Sequence, residues 1–292
     1  MPPADRRGGD AGGDPGGAAP GGVNSVSTMS DVTFGERRTL GRTGLSVSRM
    51  GLASGYKVPA RAVERAFEEF GINYFYWDRR MPGMRDALRG IARRKRDGIV
   101  IAIQSYDHSG LWLARRAESA LRDLGIDRAD ILFLGWYNRM PPRRILDTVA
   151  RLKERSLVRF LGVTGHSRRF HGEAAASQGS PIDVHQVRYN AAHRGAEAEV
   201  FARLGDARPG IVTYTATRWG RLLDARRMPP GERPLTPAEC YRFVLSNPAV
   251  DVCLSGPRSE REMEEGLRAL ADGPLGPDDM ERARRIGDHV HG

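Results

Sequence analysis

The chain has little from which to build a covalent or metal framework. Two cysteines, Cys240 and Cys253, stand among 292 residues. That is too few for a disulfide scaffold or a four-thiolate centre, so both are expected to be buried apolar thiols. No hydrophobic run approaches the roughly 20 residues of a membrane-spanning helix. Arg6 and Arg7 are not followed by the apolar stretch of a secretory leader, so cytoplasm is the expected compartment. Lysine is scarce: only Lys57, Lys95 and Lys153 occur, none at the end of a strand-like segment. Schiff-base chemistry on a strand lysine is thereby excluded. The sole His-x-His, His289–His291, lies at the chain's end, away from any carboxylate cluster, and no metal site is expected. The net charge of +10 is almost all arginine, set beside glutamates as in Arg61, Glu64, Arg65 and Glu68. Such spacing makes solvated helix faces rather than a nucleic-acid-binding stripe.

What is present is a regular alternation. Residues 1–33 are Gly, Pro, Ala, Ser and Asp with almost no large apolar side chain, and are expected to form a disordered tail, with Met29 as an alternative start. The domain spans 34–292. It opens with Leu40-Gly41-Arg42-Thr43-Gly44-Leu45, two short β segments about a turn, which reads as a hairpin. Strand-like segments then follow at 49–54, 72–77, 99–104, 131–134, 158–163, 184–189, 211–216 and 250–254, separated by helix-period segments. Val63, Ala66, Phe67 and Phe70 mark the first helical face; Leu113, Ala117, Ala120, Leu121 and Leu124 mark another, closed by Gly125. Helices are expected also at 84–94, 168–176, 196–204 and 277–287. Thr236-Pro237-Ala238-Glu239 is a capping box, and Ser259 with Glu262 repeats the device.

Strands joined through helices pair in parallel, and eight such units close into a barrel. No Gly-x-Gly-x-x-Gly follows an early strand, which disfavours the open doubly wound alternative. The expected fold is therefore α/β, a (β/α)8 TIM barrel with an N-terminal β-hairpin and a C-terminal helix. Its ligand face lies at the carboxyl ends of the strands. Val158–His166, a buried strand running into Thr164-Gly165-His166, places three polar or small residues there.

Several landmarks, in order from about Glu36 to the end, resemble the aldo-keto reductase superfamily. They are Arg38-Thr39-Leu40-Gly41-Arg42-Thr43-Gly44-Leu45 before the first strand and Gly71-Ile72-Asn73-Tyr74-Phe75 at the second. Leu161-Gly162-Val163-Thr164-Gly165-His166 marks the fifth strand, Gln186 with Tyr189-Asn190 the sixth. Tyr214-Thr215 with Gly220 marks the seventh, and Asn247-Pro248 leading to Gly256 the eighth. The resemblance implies an NAD(P)(H)-binding oxidoreductase acting on a small carbonyl or alcohol, with NADP or NAD as cofactor. By position, Thr164 and Gln186 would hold the nicotinamide carboxamide and Tyr214 would stack on its ring. Thr215, Arg218 and Gly220 would follow the pyrophosphate. Gly256, Arg258 and Ser259 would meet the adenosine phosphate at a helix N-terminus, and Arg258 and Arg261 lean toward NADP.

The sequence also departs from the family. Gly165 replaces the usual Asn, and Glu262 and Gly266 stand where Arg and Asn are common. The family's catalytic Asp, Tyr, Lys and His positions fall at Tyr76, Met81, Gln104 and Gly135. Without a lysine beside it, a phenol of pKa near ~10 is a poor acid at neutral pH. A replacement donor is expected among Tyr76, Asp78 and His166, with Tyr106, His108 and Tyr137 also near the mouth. The alternative is a catalytically inactive barrel serving as a nicotinamide-nucleotide sensor or binding module. Lyase or isomerase chemistry on the same barrel stays open, because a fold does not fix a function.

Overall fold

The computed structural model describes residues 34–79 and 82–291. The expected tail at 1–33, and Met81, lie outside the described residues. A hairpin comes first, β1 (Arg38–Thr39) antiparallel to β2 (Ser46–Val47). The barrel strands are β3 (Met50–Ala53), β4 (Tyr74–Trp77), β5 (Val100–Ser105), β6 (Ala129–Leu134), β7 (Val158–Thr164), β8 (Val184–Arg188), β9 (Gly210–Tyr214) and β10 (Val252–Ser255). They lie side by side in chain order, all parallel, and β10 pairs with β3 to close the ring. The helices are α1 (Ala60–Glu68), α2 (Pro82–Lys95), α3 (Gly110–Leu124), α4 (Arg143–Glu154), α5 (Arg168–Ala176), α6 (Ala196–Glu199), α7 (Pro237–Leu245), α8 (Glu260–Leu267), α9 (Ala269–Asp272) and α10 (Pro277–His291). This is the (β/α)8 barrel with hairpin and terminal helix that the alternation predicts.

Two apolar cores follow from the two faces of each strand. The outer core packs strands against helices, with Ile101, Ile103, Leu132, Leu134 and Leu161 meeting Leu88, Leu113, Leu121 and Val149. The inner core fills the barrel with Tyr74, Val100, Ile131, Phe133, Val184, Val212 and Val252. Leu40, Leu45 and Val47 of the hairpin join that inner core and plug the barrel's N-terminal end. The plug is pinned: Ser48 N–H donates to Asn73 Oδ1 at 2.7 Å, and Asn73 Nδ2 donates to the Ser46 carbonyl at 2.9 Å. Gly41, at φ 45°, lies so close to Pro209 and Gly210 that a side chain there would enter their backbone. With one end plugged, the carboxyl end is, among the described residues, the end of the barrel left open to a ligand.

Alternate strands carry an aspartate at their start, and this is where much of the arginine goes. Asp130, Asp183 and Asp251 each accept a backbone N–H from the preceding strand, from Ile101, Leu161 and Ile211 at 2.9, 2.8 and 2.8 Å. The same carboxylates are matched by cations. Arg96 and Arg159 pair with Asp130, Lys153 with Asp183, and Arg208 with Arg38 on Asp251. Both cysteines are buried and unpaired with each other, as expected.

Three expectations are corrected. The helix expected at 196–204 is only α6 followed by a 3₁₀ turn, Phe201–Arg203, because the chain bends at Val200 to bury both Val200 and Phe201. The terminal helix runs past Gly287 to His291, where Arg194 holds Asp288 at 2.7 Å and His291 Nδ1 meets the Ala192 carbonyl at 2.6 Å. The box at Thr236 closes in both directions, whereas at Ser259 only half forms: Ser259 Oγ accepts from Glu262 N–H, but the Glu262 carboxylate turns to Arg258 N–H.

Candidate functional site

A cleft of about 450 Å³ opens at the carboxyl ends of the strands. Its wall takes Tyr76 from β4, Thr164 from β7, Gln186 from β8 and Tyr214 from β9, with Tyr106, Trp136, His166, Thr215 and Gly256 from the loops that follow strands. Register explains the grouping: Thr164 stands opposite Gln186, and Arg188 opposite Tyr214, so these ends finish at one level. A second groove of about 280 Å³ shares Thr217, Trp219, Tyr241 and Gly256 with the first. It continues past Gly220 and Arg258 to Glu262 and Glu265 on α8.

Tyr76 and Gln186 of the cleft wall belong to a neutral chain of side chains. The Tyr76 hydroxyl donates to Gln104 Oε1, Gln104 Nε2 donates to the Ser105 carbonyl at 3.1 Å, and Gln186 hydrogen-bonds the same phenol. Burial pushes the Tyr76 phenol well above its ordinary value of 10. Burial likewise raises Tyr214, whose hydroxyl is bonded to Thr164. Gln186 is 5 % exposed, and its Oε1 is buried without a hydrogen-bond partner. A buried acceptor left unpaired costs about 1–3 kcal/mol, so this oxygen is set for a donor that the protein does not supply.

Of the four positions expected from the resemblance to carry the family's catalytic groups, Tyr76, Gln104 and Gly135 lie among the described residues. Tyr76 and Gln104 bond each other. A side chain at Gly135 would run into the Tyr106 ring and Gln104 Nε2, so Tyr106 fills the volume that a histidine there would need. Tyr106 in turn packs on Trp136, ring centres 4.7 Å apart. Met81 lies outside the described residues.

Of the proposed proton donors, the structure brings Tyr76 and His166 to the same cleft, while Asp78 lines an adjacent groove of about 300 Å³ with Asp107 and Arg116. The Asp78 N–H is held by Ser54 Oγ at 2.8 Å. His108 stacks on Tyr137 in a further groove, away from Tyr76. His166 is exposed on the rim, and Asn138 fixes its backbone by accepting the N–H groups of His166 and Ser167 at 2.6 and 2.8 Å. Gly165 is glycine for a steric reason: any Cβ would overlap the Tyr137 carbonyl.

Of the proposed cofactor ligands, Thr164, Gln186, Tyr214, Thr215 and Gly256 line the cleft, and Gly220 and Arg258 the second groove. Arg218 and Ser259 line neither. Arg218 is 7 % exposed and donates to the His291 carbonyl at 3.1 Å, which turns it toward α10. Ser259 is spent on capping α8. Sequence reasoning missed Asn138, Trp136 and Trp219. The tryptophans carry a signal visible only in space: they are 65 % and 58 % exposed and hold φ of 59° and 53°. With Thr215 and Arg218, they are four of the six described non-glycine residues at positive φ. Such strain concentrates at ligand sites.

An α/β barrel with a polar strand-end cleft defines a broad class, and the comparisons narrow it. The family model for the aldo/keto reductase family matches residues 60–239, and the chain belongs to that family. In fold it is similar to aldo-keto reductase AKR11C1 from Bacillus halodurans in its holo form, with a TM-score of 0.73 and 18% identity over 86% of this chain and 96% of that one. The apo form of the same protein gives a TM-score of 0.69 at 18% identity, over 86% and 95%. No curated protein matches the chain in sequence.

Proposed function

We propose that the cleft binds a nicotinamide dinucleotide and that the protein is an NAD(P)(H)-dependent oxidoreductase of a small carbonyl or alcohol, with a rebuilt proton-transfer site. The observation that carries this is Gln186 Oε1, buried, unpaired and flanked by Thr164 and Tyr214. A carboxamide N–H₂ is the donor such an oxygen lacks, and the Tyr214 ring offers an apolar face to a pyridine. The residues present thus fit the nicotinamide end. When bound, nicotinamide supplies or accepts a hydride. Thr164 and Gln186 orient the carboxamide, and Tyr76 keeps its proton, hydrogen-bonded to Gln104 Oε1. His166, exposed on the rim of the same cleft, gives the proton to the substrate oxygen or takes it. The remaining cleft, bounded by Tyr106 and Trp136, receives the small-molecule substrate.

A specific observation favours a second reading, a nucleotide sensor without turnover: the Gln104–Tyr76–Gln186 chain is neutral where the family needs an acid. Both readings share the binding step. Titration with NADH, followed by nicotinamide fluorescence, is expected to show saturable binding that Gln186→Leu weakens about tenfold. Absence of binding at millimolar NADH and NADPH would refute both. Turnover of a carbonyl panel, lost in His166→Ala with binding retained, separates the enzyme from the sensor.

A further inference from the structure

We infer that the site takes NAD(H) in preference to NADP(H), because Glu262 already occupies the position that a third phosphate would need. This inference rests on the dinucleotide reading above. The second groove ends at the start of α8, whose free N–H groups and positive end would ordinarily draw an anion. Here the helix start already carries a carboxylate of the chain, and one of those donors, the Glu262 N–H, is engaged by the capping Ser259. Glu262 Oε2 accepts the Arg258 N–H at 2.8 Å, and Ser259 Oγ accepts the Glu262 N–H at 3.1 Å. The anion at this helix start is therefore a side chain of the protein itself.

The surrounding charges point the same way. Glu262 and Glu265 both line the groove, against one cation, Arg258. Arg261, the other residue that the sequence offers as a phosphate ligand, is held by Glu265 with Nε to Oε1 at 2.8 Å. The two remaining carboxylates of α8, Glu260 and Glu264, are bound by Arg65 at 3.0 and 2.5 Å. A 2′-phosphate carries about two negative charges at pH 7 and would enter beside Glu262 and Glu265, with the Glu262 N–H already taken by Ser259 Oγ. A ribose 2′-hydroxyl would instead find in Glu262 a carboxylate acceptor, the arrangement by which acidic residues select NAD in other folds. Discrimination then arises from repulsion of the wrong ligand as well as attraction to the right one.

The test is direct binding, independent of turnover. NADH and NADPH are titrated separately into the full chain, and quenching of tryptophan emission is read, Trp219 lining both the cleft and the groove. NADH is expected to bind at least tenfold more tightly than NADPH. Glu262→Gln keeps an oxygen for the Arg258 N–H but removes the charge, and is expected to narrow the ratio at least threefold, chiefly by tightening NADPH. Equal binding of the two dinucleotides, tighter NADPH, or a ratio unchanged in Glu262→Gln overturns the inference and leaves the dinucleotide site standing. Failure of both to bind overturns the site and the preference together.

Discussion

Gly165→Ala should be among the most damaging single-methyl changes in the molecule. The added Cβ would overlap the Tyr137 carbonyl oxygen and stand 2.8 Å from its carbon and 3.0 Å from Asn138 Oδ1. The obstacle is backbone, so no side-chain rotation relieves it. The segment after β6 has to retreat, and three hydrogen bonds stretch with it. These are Asn138 to the N–H groups of His166 and Ser167 at 2.6 and 2.8 Å, and Tyr137 N–H to the Thr164 carbonyl at 3.1 Å. Overpacking of this kind costs about 1–3 kcal/mol, and partial loss of three bonds adds roughly 1–2 more. A destabilisation of about 3 kcal/mol corresponds to a fall in Tm of roughly 8 °C for a domain of this size. Calorimetry would measure it, with Gly205→Ala as control, since nothing lies within 4 Å of a Cβ there. Because the same shift displaces His166 and Thr164, NADH affinity should fall with stability. A Gly165→Ala protein melting at the same temperature as the control would refute the packing described for this rim.

Two further outcomes follow. His171 and His185 touch Nδ1 to Nδ1 at 2.9 Å in the interior; burial holds His171 down to about 4 and His185 well below its usual value. Histidines held neutral stabilise the fold fully above the unfolded pKa near ~6.5, and that stability drains as pH falls toward the folded pKa. Lowering the pH from 7.5 to 5.0 should therefore cost about 2 kcal/mol for each of the two histidines in urea unfolding, and an unchanged midpoint would contradict the neutral pair. Arg218→Gln should leave NADH affinity within about twofold but lower Tm, because Arg218 serves the His291 carbonyl and not the cleft; a tenfold loss of affinity would place it back on the pyrophosphate.

The barrel was legible because its strands are buried on both faces and read as short apolar runs between helical periods. The hairpin and the Thr236 box were legible because turn and capping chemistry is local. What local pattern cannot carry is the meeting of distant segments. The break at Val200 depends on two side chains reaching the core, and the extension of α10 on Arg194 and Ala192. The site divides in the same way. Thr164, Gln186 and Tyr214 sit at strand ends, where position along the strand fixes position in space. Asp78 and Arg218 sit in connections, where backbone angles such as the φ of 51° at Arg218 decide direction and leave no mark in composition. That a side chain at Gly135 would meet Tyr106, 29 residues earlier in the chain, is visible only in three dimensions.

The central claim is that one rim of strand ends holds a dinucleotide by its nicotinamide. A crystal structure of the protein grown with NADH tests it most directly. The account predicts the carboxamide within hydrogen-bonding distance of Gln186 Oε1, the ring over Tyr214, and the adenosine end in the groove beside Glu262. NADH bound elsewhere, or a cleft filled by the protein's own Tyr106 and Trp136 with no density for the nucleotide, would contradict it.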